Sequence, residues 1–222
     1  MPGAVLWQRA VGPAPLLTRI LPDGCLDLLW DGSRLLVAGP DTTARRHESR
    51  AGASYVALRF SGGTGPALLG VPADEVRDQT LTLDELWPSA DARVLAERVV
   101  ANPAAVLEAW AIERAGSREV DALGPRILGL AAVGTPIAVM ADRLGLSARH
   151  LHRRCLPIFG YGPRRLARIL RLGRAVNEAR TELPLAQVAA GCGYTDQAHL
   201  SREMRELAGT TPRELLRELG VR

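Results

Sequence analysis

The sequence predicts an α+β protein with a β-rich front half and an all-helical back half. Three observations carry this. The first stretch of roughly 85 residues breaks into short apolar or alternating runs bounded by turn residues, the signature of strands. From residue 120 onward, apolar residues recur with the 3.6-residue period of a helix. Charge divides along the same line: residues 1–118 carry 12 Arg against 14 Asp and Glu, and residues 119–222 carry 16 against 10. A basic back half behind a slightly acidic front half points to a polyanion met by the back half alone.

In the front half the runs Leu16–Leu21, Cys25–Trp30, Arg34–Ala38 and Ser54–Phe60 read as strands. Pro22-Asp23-Gly24 and Asp31-Gly32-Ser33 are turn sequences. The second lies between two runs able to pair as a hairpin, its Asp-Gly suited to a positive φ. Residues 39–53 read as a loop, and Thr64–Leu69 and Pro72–Val76 as short helical turns. The pattern changes near Pro88. Asp91–Val100 and Ala104–Arg114 then read as helices joined at Asn102-Pro103, with proline at a first helical position. Val94, Leu95 and Val99 on one, and Val106, Leu107 and Trp110 on the other, supply apolar faces. This pair either packs on its own β domain or forms a homodimer interface through residues 91–114. Gly116-Ser117-Arg118 is the expected linker. The division is therefore 1–88 for a β-rich unit, 89–118 for a helical pair and linker, and 119–222 for a helical domain.

Seven helices are expected in that last domain, with connections as short as those of a bundle. Within them one pattern occurs twice: a short apolar helix, a glycine turn, a capping residue and a helix bearing arginines. In the first copy Ile137, Val139, Met140 and Leu144 form the apolar face, Gly145 the turn and Ser147 the cap. Leu151 and Cys155 then face inward, leaving Arg149, His152 and Arg153 outward. In the second, Leu185, Val188 and Ala189 pack, Gly193-Tyr194 turns, and Thr195 or Asp196 caps. Leu200, Met204 and Leu207 face inward, leaving Gln197, Ala198, His199, Arg202 and Arg205. Such helix-turn-helix units place an outward helix in the major groove, where arginine reads guanine.

Between the copies, Arg164 to Arg180 form one helix of roughly 25 Å. A recognition helix at each end would stand close to one DNA turn, about 34 Å, from the other, with DNA bending to close any shortfall. Arg164, Arg165, Arg168, Arg171 and Arg174 lie along this connector, and some of them are expected to touch phosphates.

The pieces Leu144-Gly-Leu-Ser147, Leu151-x-Arg153, Gly160-Tyr-Gly-Pro163, Gly193-Tyr194, Leu200-Ser-Arg202 and Gly209-Thr-Thr-Pro212 together resemble the DNA-binding domain of AraC/XylS-type transcription regulators. The resemblance covers residues 120–219, almost half the chain. It implies base-reading positions at Arg149, His152 and Arg153, and at Gln197, Ala198, His199 and Arg202. Cys155 and Met204 depart from it, standing where that family usually has phenylalanine, which implies looser packing there. By the same analogy the front unit is a cupin-like sensor or dimerisation domain, with double-stranded DNA and a small effector as partners, and RNA polymerase if the protein activates. Trp30, Tyr55 and Phe60 are the candidate effector contacts.

Other classes find little support. No run of about 18 apolar residues exists to span a membrane, and the N-terminus lacks a signal-peptide pattern, so a cytoplasmic protein is expected. Cys25, Cys155 and Cys192 are odd in number and far apart, which disfavours a disulfide framework. His150 and His152 point apart on a helix and make no metal pair. Neither a cofactor motif nor a nucleophile–base pair is present, so no enzyme is expected. A thiol-responsive regulator using Cys25 is the alternative, weakened by Asp23 and Asp27 beside it.

Overall fold

The computed structural model describes residues 3–117, 121–181 and 183–220. The front half contains seven strands: β1 (Ala4–Ala10), β2 (Leu16–Ile20), β3 (Leu26–Trp30), β4 (Leu35–Ala38), β5 (Arg45–Ser49), β6 (Ser54–Phe60) and β7 (Thr80–Thr82). Five form an antiparallel sheet in the order β1-β6-β3-β4-β7, and β2 and β5 form a separate two-stranded ribbon. Asp31 turns β3 into β4, its carboxylate accepting from the amides of Ser33 and Arg34 while Gly32 takes a φ of 94°. The four strands expected from sequence are all present. The loop expected over residues 39–53 instead contains β5. Its sequence, Arg-Arg-His-Glu-Ser, has no apolar alternation because the ribbon has no dry face of its own. Strands β1 and β7 were not anticipated, and Pro72–Val76 forms turns but no helix.

One face of the large sheet is dry. Leu26, Leu28 and Trp30 of β3 and Val56, Leu58 and Phe60 of β6 are buried there, packed on the helices α1 (Gly65–Leu69), α3 (Ser89–Val99) and α4 (Pro103–Ser117). Leu95, Val99, Leu107 and Trp110 belong to this core, with the Trp110 ring edge-on to Phe60. The apolar residues that sequence offered to a dimer interface over 91–114 are therefore covered by the chain's own sheet, with Val94 left outside at 53% exposure. A short helix α2 (Leu83–Leu86) precedes them. Of the expected linker, Gly116 and Ser117 continue α4, and Arg118 lies outside the described residues.

The back half contains seven helices among the described residues: α5 (Leu123–Ala132), α6 (Ile137–Arg143), α7 (Ala148–Phe159), α8 (Pro163–Ala179), α9 (Leu185–Gly191), α10 (Gln197–Ala208) and α11 (Pro212–Glu218). They enclose two cores joined by α8, whose Leu166 and Ile169 serve the first and whose Leu172, Ala175, Val176 and Ala179 serve the second. Cys155 and Met204 are fully buried, one in each core.

The halves meet at both cores. Toward the first, Ala73 N donates to Pro157 O at 2.9 Å and Arg77 Nη1 to Gly160 O at 3.0 Å, at the C-terminal end of α7. Toward the second, Ala44 N donates to Leu207 O at 2.7 Å and Arg19 Nη1 to Ala208 O at 2.8 Å, at the C-terminal end of α10. Arg19 also binds Glu218 through Nε at 2.8 Å and Nη2 at 3.1 Å. Arg19 stands opposite Arg46 in the ribbon, a like-charge pairing that would repel. Glu218, within 3.7 Å of Arg46 as well, offsets part of that repulsion.

Candidate nucleic-acid interface

The two turns are built alike. Gly145 and Gly193 take φ values of 67° and 77°, a left-handed conformation that side chains resist. Each following helix is capped: Ser147 Oγ accepts from His150 N at 3.2 Å, and Asp196 Oδ1 from His199 N at 2.7 Å. Asp196, not Thr195, is thus the second cap. The buried stripes Leu151-Cys155-Phe159 and Leu200-Met204-Leu207 turn each helix into its core.

That rotation decides which residues are outward. Arg149, His152 and Arg153 are exposed on α7, and Gln197, Ala198, Arg202 and Arg205 on α10. The His152 ring lies against Gly162, leaving no room there for a Cβ, so this imidazole also closes the turn between α7 and α8. His199 is half-buried, edge-on to Tyr194 at 5.2 Å. Arg149, Arg153, Arg202 and Arg205 have no ion-pair partner among the described residues. Because the front half grips the C-terminal ends of α7 and α10, the N-terminal ends of both helices stay open.

The connector differs from expectation. Arg168 and Arg171 do not project as phosphate clamps. Arg168 Nε donates to Glu203 Oε2 at 2.9 Å, Arg171 Nη2 donates to Glu203 Oε1 at 2.8 Å, and Tyr194 OH lies 3.2 Å from the same carboxylate. Arg168 also pairs with Glu206 at 2.7 Å, and Arg171 stacks 4.4 Å over the Tyr194 ring. The bond to Glu206, followed by that to Glu203, raises the Arg168 pKa, while burial raises that of Tyr194. Glu203 has a side chain only 4% exposed, so two guanidiniums compensate an otherwise costly buried charge. Arg174 reaches the other way and donates to Ala132 O at the end of α5. These three arginines tie α8 to both units. Arg164 remains outward and unpaired among the described residues.

A groove of about 620 Å³ runs between the α5–α6 turn, α8 and α10. It brings Arg164, Arg174, His199 and Arg202 together with the neutralised Arg168 and Arg171. It does not include Arg149, His152 or Arg153, which stay with the first unit.

In the front half, a second cleft of about 490 Å³ opens between the ribbon and the other face of the large sheet. Tyr55 lines it, together with Trp7, which sequence reasoning missed. Trp30 and Phe60 do not, since strand alternation puts them in the dry core on the opposite face. Cys25 lies outside the cleft. Its thiol is pushed up to about 12, by burial first and then by Asp23, so it is not a thiolate near neutrality. Among the described residues, no group of three or more His, Cys, Asp or Glu could hold a metal, and no helix is long and apolar enough to cross a membrane.

Residues 140–218 match the family model of a helix-turn-helix domain, and residues 4–82 match that of a domain of unknown function, DUF6597. Over 77 residues the chain is 36% identical to the HTH-type transcriptional activator RhaS of Escherichia fergusonii, which covers 34% of this chain. The chain spans only 28% of that relative's length. Among solved structures, ToxT from Vibrio cholerae aligns over 97% of both chains at 12% identity and a TM-score of 0.48. A probable AraC family transcriptional regulator from Rhodopseudomonas palustris aligns over 43% of this chain and 94% of its own, at 22% identity and a TM-score of 0.38. The back half thus carries a helix-turn-helix domain over residues 140–218, and it is over this domain that the chain resembles the AraC/XylS-type regulators.

Proposed function

We propose that the protein is a sequence-specific DNA-binding transcription regulator whose back half reads two adjacent major-groove segments and whose front half answers to a small effector. The observation that carries this is the pair of capped recognition helices with outward, unpaired arginines, mounted on the two ends of α8. Arg149, His152 and Arg153 read bases from the first unit. Gln197, Ala198, His199 and Arg202 read them from the second, and Arg164 and Arg205 contact phosphates. The division at 88 and 118 sets the front domain and its helical pair apart from this reader. The effector site is the cleft between ribbon and sheet, with Tyr55 and Trp7 among its contacts. The protein acts in the cytoplasm. RhaS is by name an activator, and activation here would require contact with RNA polymerase.

The test is a titration of labelled promoter fragments from 50 to 200 mM salt. Affinity should fall by a factor of about 10 for the two phosphate contacts named, and by more for each further one, and one fragment should be preferred over random DNA by at least about 10³. Weak binding, insensitive to salt and to sequence, would refute the reading.

A further inference from the structure

Five arginines line the cleft between ribbon and sheet, and the acids near them are unevenly shared. Most of its arginines have acids of their own. Arg59 binds Asp27 at 2.9 Å and Asp23 at 3.0 Å, Arg34 faces Asp31 at 3.6 Å, and Arg45 binds Asp41 at 3.0 Å. Glu48 and Arg50 also line it, and Arg50 and Arg9 have no ion-pair partner among the described residues. Of these two, Arg9 is the one held to the ribbon. Its guanidinium donates through Nη2 to Thr18 Oγ1 at 3.2 Å and has no carboxylate within ion-pair distance among the described residues. His47 stands opposite Thr18 in the ribbon. Burial first, then Arg45 and Arg9, lower its pKa, so the charges it senses here are cationic.

The rest of the cleft is apolar. Trp7, Ile20, Leu29 and Leu36 line it, and Tyr55 stands edge-on to His47 at 6.1 Å between ring centroids. The indole of Trp7 is fixed by a 3.1 Å bond from Nε1 to Asp27 Oδ1. A volume of about 490 Å³ suits a small organic molecule. Arg9 is exposed, and an anion offers its guanidinium a charge-assisted bond that a neutral ligand does not.

We propose that this cleft binds a small organic anion, a carboxylate or sulfonate with an aromatic or aliphatic body, its acid group on Arg9 and its body between Trp7 and Tyr55. This rests on the reading of the front half as the effector domain. It narrows the effector to a chemical class.

The test uses two fluorescent probes of similar shape on the full chain: anionic anilinonaphthalene sulfonate and uncharged phenylnaphthylamine. Energy transfer from tryptophan, with Trp7→Phe as control, reports whether a probe sits in the cleft. The anion should bind about tenfold tighter than the neutral probe. Arg9→Gln, at an exposed position that leaves the core intact, should erase that tenfold and leave the neutral probe unaffected. Equal affinity for both probes, or no effect of Arg9→Gln, overturns the anion assignment while the cleft remains an effector site. If neither probe binds and Trp7→Phe changes nothing, the effector role of the front half falls with it.

Discussion

Replacing Glu203 by glutamine keeps the shape of the side chain and removes only its charge. That carboxylate accepts from Arg168 at 2.9 Å and from Arg171 at 2.8 Å and is 4% exposed. Breaking a fully buried ion pair costs about 3–5 kcal/mol. The Arg168 and Arg171 side chains keep 26% and 24% of their exposure, so water recovers part of what their charges lose. A cost of about 2–3 kcal/mol follows once that screening is allowed for. If the chain unfolds as one unit, this lowers Tm by about 5–10 °C. Thermal denaturation followed by circular dichroism at neutral pH measures it. A double-mutant cycle with Arg171→Ala should return a coupling above about 1 kcal/mol. A Glu203→Gln protein within about 0.5 kcal/mol of wild type would refute the reasoning. So would an Arg171→Ala protein of full stability that binds every DNA sequence more weakly, because Arg171 would then be a phosphate clamp.

Arg202→Ala should cost about 1–3 kcal/mol of specific binding and relax preference at one base position, whereas Arg164→Ala should weaken all DNA alike; competition with single-base operator variants separates the two. The bond from Arg19 holds the Glu218 carboxylate below its ordinary range. Its contribution is therefore present above the ordinary glutamate value and lost as pH falls through the lower folded value. The stability gap between wild type and Glu218→Gln in urea melts should close across that acidic window, and a gap that persists to the lowest pH would show that the ion pair is not its source. With its thiol pushed up to about 12, Cys25 should react with a maleimide at pH 7 more slowly than a free thiol of ordinary pKa, and Cys25→Ser should bind DNA as wild type does.

Strands β2, β3, β4 and β6 and both helix-turn-helix units were legible because periodicity and turn residues specify them. Leu26, Leu28 and Trp30 alternate, and Leu200, Met204 and Leu207 recur at helical spacing, each around one buried face. β5 was hidden because a strand in a two-stranded ribbon, open to a polar cleft, needs no apolar alternation. Two errors were avoidable with the same rules. Tyr55 and Phe60 are five residues apart in one strand, so a period of 2 sends them to opposite faces and denies them a common ligand. Glu203 lies three residues after Leu200, on the stripe that also holds Met204 and Leu207. A glutamate on a buried stripe signals a cationic partner, and the nearest run of cations is the connector, whose Arg168 and Arg171 supply it. The meeting of ribbon and second unit was not legible, because the ion pair from Arg19 to Glu218 spans 199 positions of chain.

The ribbon has one further consequence. Thr18 and Ile20 face the cleft, and Arg19 between them holds α11 and the end of α10. The floor of the cleft and the mount of the second reader are thus opposite sides of a single peptide layer. No repacked core or relay of side chains separates them. Each strand of a two-stranded ribbon is also hydrogen-bonded on one side only, so it resists bending less than the inner strands of the five-stranded sheet. Whatever presses on Thr18 or Ile20 tilts the axis of Arg19 with them, and the reach from cleft to DNA-reading unit is the thickness of one strand.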